Sequence, residues 1–280
     1  MSKSLRDGGR SVRTSLLALA CALPLAAAPA AAQELAARPA PALKPQTLRL
    51  AYDAYVGGLH AAALEVEIDI DADRYRMQGG MRTMGFLDYM AGWRYETRSA
   101  GRQDGGRLLP GEHVAESVSR GRERRTSLRW QGGRVTASIT PPPDDDREPV
   151  PEKMKAEAFD PLTGALDMIR LLAGSGTCNG AVPMFDGRRR FDLRFTDLGP
   201  STVKASRYST FSGPARACRA ELQRIAGYDK KGGQPGSGNR EDRPAEVWVA
   251  PPRPGALPVP VRIETTTRWG EVVVHLTKAE

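Results

Sequence analysis

Histidine and cysteine are scarce in this chain, with three of each in 280 residues. His60, His113 and His275 stand far apart, and none has a second His, Cys or carboxylate at metal-ligand spacing. No C-x-x-C redox pair occurs. No G-x-S-x-G occurs either. Gly174-Ser175-Gly176 reads as a helix-ending loop, whereas a nucleophile elbow needs strand, turn and helix in that order. Phosphate-cradling glycine loops are missing; the glycine pairs sit in hairpin turns. Asp144-Asp145-Asp146 lacks the spaced ligands of a calcium loop and reads as a solvated acidic run. The sequence therefore assigns no catalytic residue, no metal and no cofactor, and it reads as a non-enzyme.

Aromatic residues make up only 6%, and 41 basic residues are scattered among 33 acidic ones. Nucleic-acid binding asks for clustered cations and stacking rings, so that class is excluded. Long apolar runs are missing too. The longest, Leu16 to Ala28, spans about 13 residues, short of the roughly 20 that a spanning helix needs. It follows Lys3, Arg6, Arg10 and Arg13 and precedes Ala30-Ala31-Ala32. That order is a secretory leader, with cleavage after Ala32. Cys21 lies in the middle of the apolar run behind Ala18-Leu19-Ala20, a poor lipidation signal.

The expected organisation is a signal peptide over 1–32, a flexible Ala/Pro linker over 33–46 and one β-rich domain over 47–280. The mature chain has no transmembrane segment, and the expected location is the periplasm. Cys21 leaves with the leader, so Cys178 and Cys218 remain. An even pair in an exported chain reads as one disulfide. Its 40-residue separation corresponds to about 4 kcal/mol of loop-entropy stabilisation.

From Thr47 onward the chain is dominated by period-two alternation. Leu48, Leu50, Tyr52, Ala54 and Val56 share one face of a first strand, and Gly57-Gly58 turns the chain. Leu64, Val66, Ile68 and Ile70 then alternate with Glu65, Glu67, Asp69 and Asp71. One dry and one wet face favour an antiparallel sheet. Arg74 and Arg76, beside Tyr75 and Met77, face those acids across the next hairpin. Further strands are expected at Tyr95 to Ser99, Glu112 to Ser119, Arg124 to Trp130, Arg134 to Thr140, Val182 to Phe185 and Arg188 to Thr196. Others are expected at Val203 to Phe211, Ala217 to Ile225, Val259 to Thr267 and Glu271 to Thr277. Gly132-Gly133, Asp186-Gly187 and Trp269-Gly270 mark hairpin turns.

Two stretches read as long loops, 141–157 with Pro141-Pro142-Pro143, and 229–244, a Gly/Pro/charge-rich disordered segment. One helix is expected. Asp160 is its N-cap, Pro161 its first residue, and Gly174 its end. Leu162, Ala165, Leu166, Ile169 and Leu172 form its apolar stripe. Met84 to Trp93 is too densely apolar for a strand and reads as a short helical insert. Met84, Phe86, Tyr89, Met90 and Trp93 are either a core plug or the wall of a ligand cavity. Arg188, opening the Arg188-Arg189-Arg190 run, is an anion-contact candidate. The expected fold is mainly β: one large, strongly curved antiparallel sheet, an open or half barrel, wrapped around the amphipathic helix and the insert.

The order of several short pieces resembles the uncharacterised bacterial envelope family known as domain-of-unknown-function family 3108. These pieces are Tyr52-Asp53-Ala54-Tyr55-Val56-Gly57-Gly58, Trp93-Arg94-Tyr95-Glu96-Thr97 and Asp160-Pro161-Leu162-Thr163. Phe185-Asp186-Gly187-Arg188-Arg189 and the Cys218 to Tyr228 stretch complete the set. The resemblance covers about Tyr52 to Leu276. It implies a curved antiparallel sheet similar to lipoprotein-carrier folds and implies no activity. Two functions are expected on this basis. One is binding of a lipid or other apolar ligand in the concave face. The other is a structural or protein-interaction role in the envelope, with a filled core.

Overall fold

The structure, a computed structural model, describes residues 41–132, 134–142, 147–228, 243–267 and 270–280. The expected leader over 1–32, the expected linker up to residue 40, Gly133, the acidic run with residue 143, residues 229–242 and residues 268–269 lie outside the described residues.

Alternating side chains produce thirteen strands among the described residues. They are β1 (Gln46–Val56), β2 (Leu59–Ile70), β3 (Arg74–Thr83), β4 (Arg94–Asp104), β5 (Arg107–Ser119), β6 (Arg122–Gln131) and β7 (Arg134–Thr140). After them come β8 (Gly180–Phe185), β9 (Arg190–Val203), β10 (Gly213–Ala226), β11 (Ala245–Ala250), β12 (Val259–Thr267) and β13 (Gly270–Ala279). All join one antiparallel sheet in the order β7-β6-β5-β4-β3-β2-β1-β13-β12-β11-β10-β9-β8. The first and last strands pair in the middle, so the edges are β7 and β8. The chain must cross from one edge to the other through residues 141–179. That crossing carries α2 (Glu152–Ala156) and α3 (Pro161–Ser175). The remaining helix, α1 (Gly85–Ala91), joins β3 to β4.

The crossing runs over the inner face of the sheet. Register places Leu48, Ile68, Met77, Ser99, His113 and Leu128 side by side on that face. All are at most 3% exposed. Leu166 and Ile169 of α3 pack into the main core with Tyr75, Ile70 and Val261. The edges curl toward each other. Phe185 of β8 is buried with Leu128 of β6 and Val135 of β7. Gly187 is required at the β8–β9 turn: its φ is +98°, and a Cβ there would meet the Thr126 methyl at 2.6 Å. Gly101 likewise gives way to the ring of Tyr75, whose hydroxyl an added Cβ would strike. Residue 159 then bonds along the β8 edge: the Phe159 amide donates to Pro183 O and the Phe185 amide to Phe159 O. A covered edge no longer offers free ladder groups to another chain.

The start of α3 is dry and polar. Asp160 is 0% exposed, and its Oδ1 accepts from the amides of Leu162 (3.1 Å) and Thr163 (3.0 Å). The Ser99 hydroxyl also donates to it at 2.6 Å. Thr163 Oγ1 lies 3.0 Å from the Tyr75 hydroxyl. Behind the helix, Cys178 and Cys218 form the expected disulfide, both buried against Leu172.

Several expectations need correction. The α1 insert does not enter the core: Phe86 is 72% exposed and Tyr89 90%. Seven residues form too short a helix to reach from a hairpin tip into a space already filled by α3. Lys204 to Ser212 is not strand. β9 instead runs on past Pro200 to Val203, with the register shifting near Gly199. Ala245 to Ala250 is a strand that small residues and flanking prolines obscure. The 141–157 loop contains α2 and buries Val150. Residues 41–46, read as flexible linker, are tied down: Leu43 is buried and exchanges both backbone bonds with the Gln103 amide. In α3, Ala165 is exposed, while Met168, Asp167 and Arg170 are buried. The Arg76–Asp69 register is as expected, but Glu67 takes Arg49 of β1 and Asp69 takes the Thr47 hydroxyl.

Asp160→Ala is predicted to cost about 3 kcal/mol in urea unfolding. That combines a lost cap with buried donors left without an acceptor. A loss under about 0.5 kcal/mol, within ordinary surface effects, contradicts the role given to this carboxylate.

Candidate functional site

Ser99, His113 and Asp160 stand in mutual contact, which invites comparison with a nucleophilic triad. The polarity runs the other way. The Ser99 proton points at Asp160, so His113 Nδ1, 2.9 Å from Ser99 Oγ, is the donor in that contact. A triad needs the imidazole to accept from the serine and the carboxylate to bond the other ring nitrogen. Here the same Nδ1 also lies 3.3 Å from Asp160 Oδ1. All three side chains are at most 3% exposed, so no substrate reaches them. Burial pushes the Asp160 pKa up, but the bonds from His113, Ser99 and Thr163 outweigh it and hold the carboxyl below its ordinary value. The cluster anchors the helix to the sheet. No local motif signals it, because only the β4–β5 register brings Ser99 opposite His113.

The open spaces lie on the other face. A trough of about 650 Å³ crosses β3 to β7. Arg76, Arg98, Arg125 and Arg129 line it, with Glu112 among them. A second trough of about 470 Å³ continues across β13, β1 and β2, with Arg49, Glu65, Glu67 and Lys278 in its lining. Gln78 and Arg98 belong to both. Charges of both signs stand side by side: Arg49 pairs with Glu67 at 3.1 Å, and Glu116 takes Arg125 and, at 3.9 Å, Arg98.

On the same face of β1, beyond Ala51, a ring cluster stands beside Asp53. Tyr55 stacks on His60 with centroids 5.2 Å apart, and Tyr208 stacks on His275 at 5.7 Å. Tyr55 and Tyr208 meet edge to face at 5.0 Å. His60 Nε2 lies 3.1 Å from Asp53 Oδ1. Tyr208 belongs to the Lys204–Ser212 loop, which is held over this face by bonds from Ser209 and Thr210 to Leu276 O. His275 is 6% exposed, and its Nδ1 has no hydrogen-bond partner. Burial, and then the Arg262 cation, depress its pKa, while Glu264 and Asp53 pull the other way.

The residues singled out from sequence are placed elsewhere. Phe86, Tyr89, Met90 and Trp93 stand in solvent at the β3–β4 tip, and Met84 is half-buried at the start of α1. None of them lines either trough. Arg188 sits in the β8–β9 turn, its amide bonded to Asp186 Oδ1, while Arg189 and Arg190 pair with Asp186 and Asp192. No group of three metal-binding side chains occurs among the described residues. No described helix is long and apolar enough to cross a membrane.

An unclosed antiparallel sheet curled around a crossing helix defines a barrel-like class of fold. Over residues 51–277 the chain matches the family described as "Protein of unknown function (DUF3108)", and it belongs to that family. A solved β-barrel-like protein of domain of unknown function DUF1849 from Brucella abortus is similar in fold. It has a TM-score of 0.50 at 10% identity, covering 85% of this chain and 98% of that one. A "putative lipoprotein" from Parabacteroides distasonis gives 0.28 at 8% identity, covering 86% and 97%. No curated protein matches the chain.

The buried His275 predicts a pH effect with a definite sign. In the unfolded chain it protonates near its ordinary value of about 6.5. In the folded chain its pKa is lower, so the unfolded state binds more protons below that pH. Its contribution is fully present above about 6.5 and is lost as pH falls toward the folded value. His275→Gln is expected to flatten the slope of the urea midpoint between pH 7.5 and 5.5. Asp167, raised by burial, carries the opposite sign, which is why the variant comparison matters. Equal slopes in both proteins would remove His275 as the source.

Proposed function

We propose that the chain is an exported, non-enzymatic interaction protein of the cell envelope that works through its outer surfaces rather than by enclosing an apolar ligand. One observation carries this reading: the inner face is occupied. Leu166 is 0% exposed beneath the sheet, and both troughs open on the polar side. An acyl chain needs a mainly apolar, enclosed space, and these troughs mix arginine with glutamate on a solvated face.

Export is supported by the leader pattern and by the Cys178–Cys218 disulfide, which persists in an oxidising compartment. The absence of an enzymatic role is supported by the inverted polarity of the Ser99–His113–Asp160 cluster and its lack of access. The first trough offers an extended polar partner, such as a polypeptide strand, four arginines and one glutamate across five strands.

Native mass spectrometry of the protein isolated from its own host is the test. The expected spectrum is that of the chain without a stoichiometric lipid. A bound acyl-chain ligand at one per chain would return the enclosed-ligand reading to first place.

A further inference from the structure

Exposed apolar side chains are not spread evenly over this molecule. Leu59 (75%), Phe86 (72%), Tyr89 (90%), Met90 (52%), Leu87, Trp93 and Val118 gather at one end of the sheet, while Leu109, Met154, Leu198 and Tyr208, none above 42%, lie apart from them. Three connections supply them: the β1–β2 turn, α1 and the end of β5. Register shows that these share an end, because Val56 faces Leu59, Arg82 faces Arg94, and Arg94 faces Val118. The helix is held firmly while its large side chains face outward. Gly92 caps it, with its N–H on Asp88 O at 2.8 Å. The Trp93 amide donates to Thr83 Oγ1, and the Met84 amide donates to Ala61 O. Phe86, Tyr89 and Met90 stand at i, i+3 and i+4, on one face of the helix.

Exposed cations surround this tip: Arg82, Arg94, Arg120, Arg122 and Arg124. Among the described residues the acids at the same end are Glu123, Glu271, Asp53 beside His60, and Asp88, the last bonded to the Thr83 hydroxyl. Among the described residues cations outnumber acids around an exposed, aromatic-rich apolar tip, and that combination matches one partner by charge and polarity. We infer that this end of the molecule docks on an anionic lipid surface, with Phe86, Tyr89, Met90 and Trp93 entering the headgroup boundary and the arginines meeting lipid phosphates. Rings with one apolar and one polar part favour that boundary, and interfacial helices combine an apolar face with basic flanks. The inference goes beyond the envelope reading and does not depend on the troughs.

The test uses the protein as isolated from its host, mixed with vesicles of phosphatidylcholine alone or with a quarter phosphatidylglycerol. Co-sedimentation is expected with the anionic vesicles, weakening several-fold when salt is raised from low to high ionic strength. Brominated phosphatidylglycerol is expected to quench tryptophan fluorescence, and Trp93→Phe to remove most of that quench. Phe86→Ser with Tyr89→Ser is expected to cut binding at least tenfold with an unchanged melting temperature, since both side chains are already in water. Arg82→Glu with Arg94→Glu is expected to abolish the preference for anionic vesicles. Failure to bind, or binding and quenching that survive both double variants, overturns the inference. So does a dimer in sedimentation velocity that the Phe86/Tyr89 variant dissociates, which assigns the tip to a second copy of the chain. A lipid found inside the sheet by mass spectrometry bears on the filled core and leaves this surface unaffected.

Discussion

The architecture depends on one carboxylate. A chain that leaves one edge of a thirteen-stranded sheet and rejoins the other must pass across the dry inner face. Beginning a helix there exposes unpaired amides to an interior without water, which is costly. Asp160 resolves the conflict because an ionised carboxylate accepts several bonds at once and donates none. One oxygen takes the Leu162 and Thr163 amides from the helix side and the Ser99 hydroxyl from the sheet side. That oxygen fixes where α3 begins and which strand it sits on. Leu166 and Ile169 then follow at fixed helical intervals into the core.

Once the helix is seated, the inside of the curl is occupied, and the curl draws β8 toward β6 and β7 through Phe185. The sheet stops short of closure because residues 158–160 and α2 lie where a closing pair of edges would meet. Functional surface is therefore displaced outward. The faces divide by chemistry: dry rows inside, mixed charge outside, and the most exposed oily side chains, Leu59, Phe86, Tyr89 and Met90, at the end where hairpin tips emerge. In a small β protein such exposed tips invite aggregation unless something manages them. The arginines beside this tip supply the management by charge.

Local pattern recovered most of this fold. Alternation marked β1 nearly to the residue and the second half of β2, and Asp160-Pro161 marked the start of α3. The count of cysteines beyond the expected leader marked the disulfide. Each is a short-range signal with a single physical reading. What stayed hidden depended on contacts far apart in sequence. Nothing near Ser99 announces His113 or Asp160; only cross-strand register assembles them. Density of apolar residues in 84–93 argued for burial, because composition records how oily a segment is and not whether room remains for it. The strand expected to end at Thr196 continues to Val203, with a shift in register near Gly199. The Tyr55–Tyr208–His275 contacts needed the Lys204–Ser212 loop to fold over the sheet, and that stretch had read as strand.

The charge pattern of the outer face bears on what it can select. A field of one sign binds any partner of the other sign, whereas alternating signs reward only a partner whose charges fall in register. Across β3 to β6, Arg76 and Arg129 flank Ala100 and Glu112 in one row, and Arg98 sits with Val114 and Ser127 in the next. Successive rows are one side-chain repeat apart, the spacing of alternate residues in an extended chain. A free anion gains little beside Arg125 and Arg98, because it must compete with Glu116 for their guanidinium groups. An extended chain of mixed charge meets several such pairs at once, and it loses register if it slides by one residue. On the proposed reading, the trough surface selects a partner by register, while the tip, with its cations and oily side chains, attaches without sequence choice. Placing the two on different parts of one rigid sheet lets attachment and selection act together without competing for the same residues.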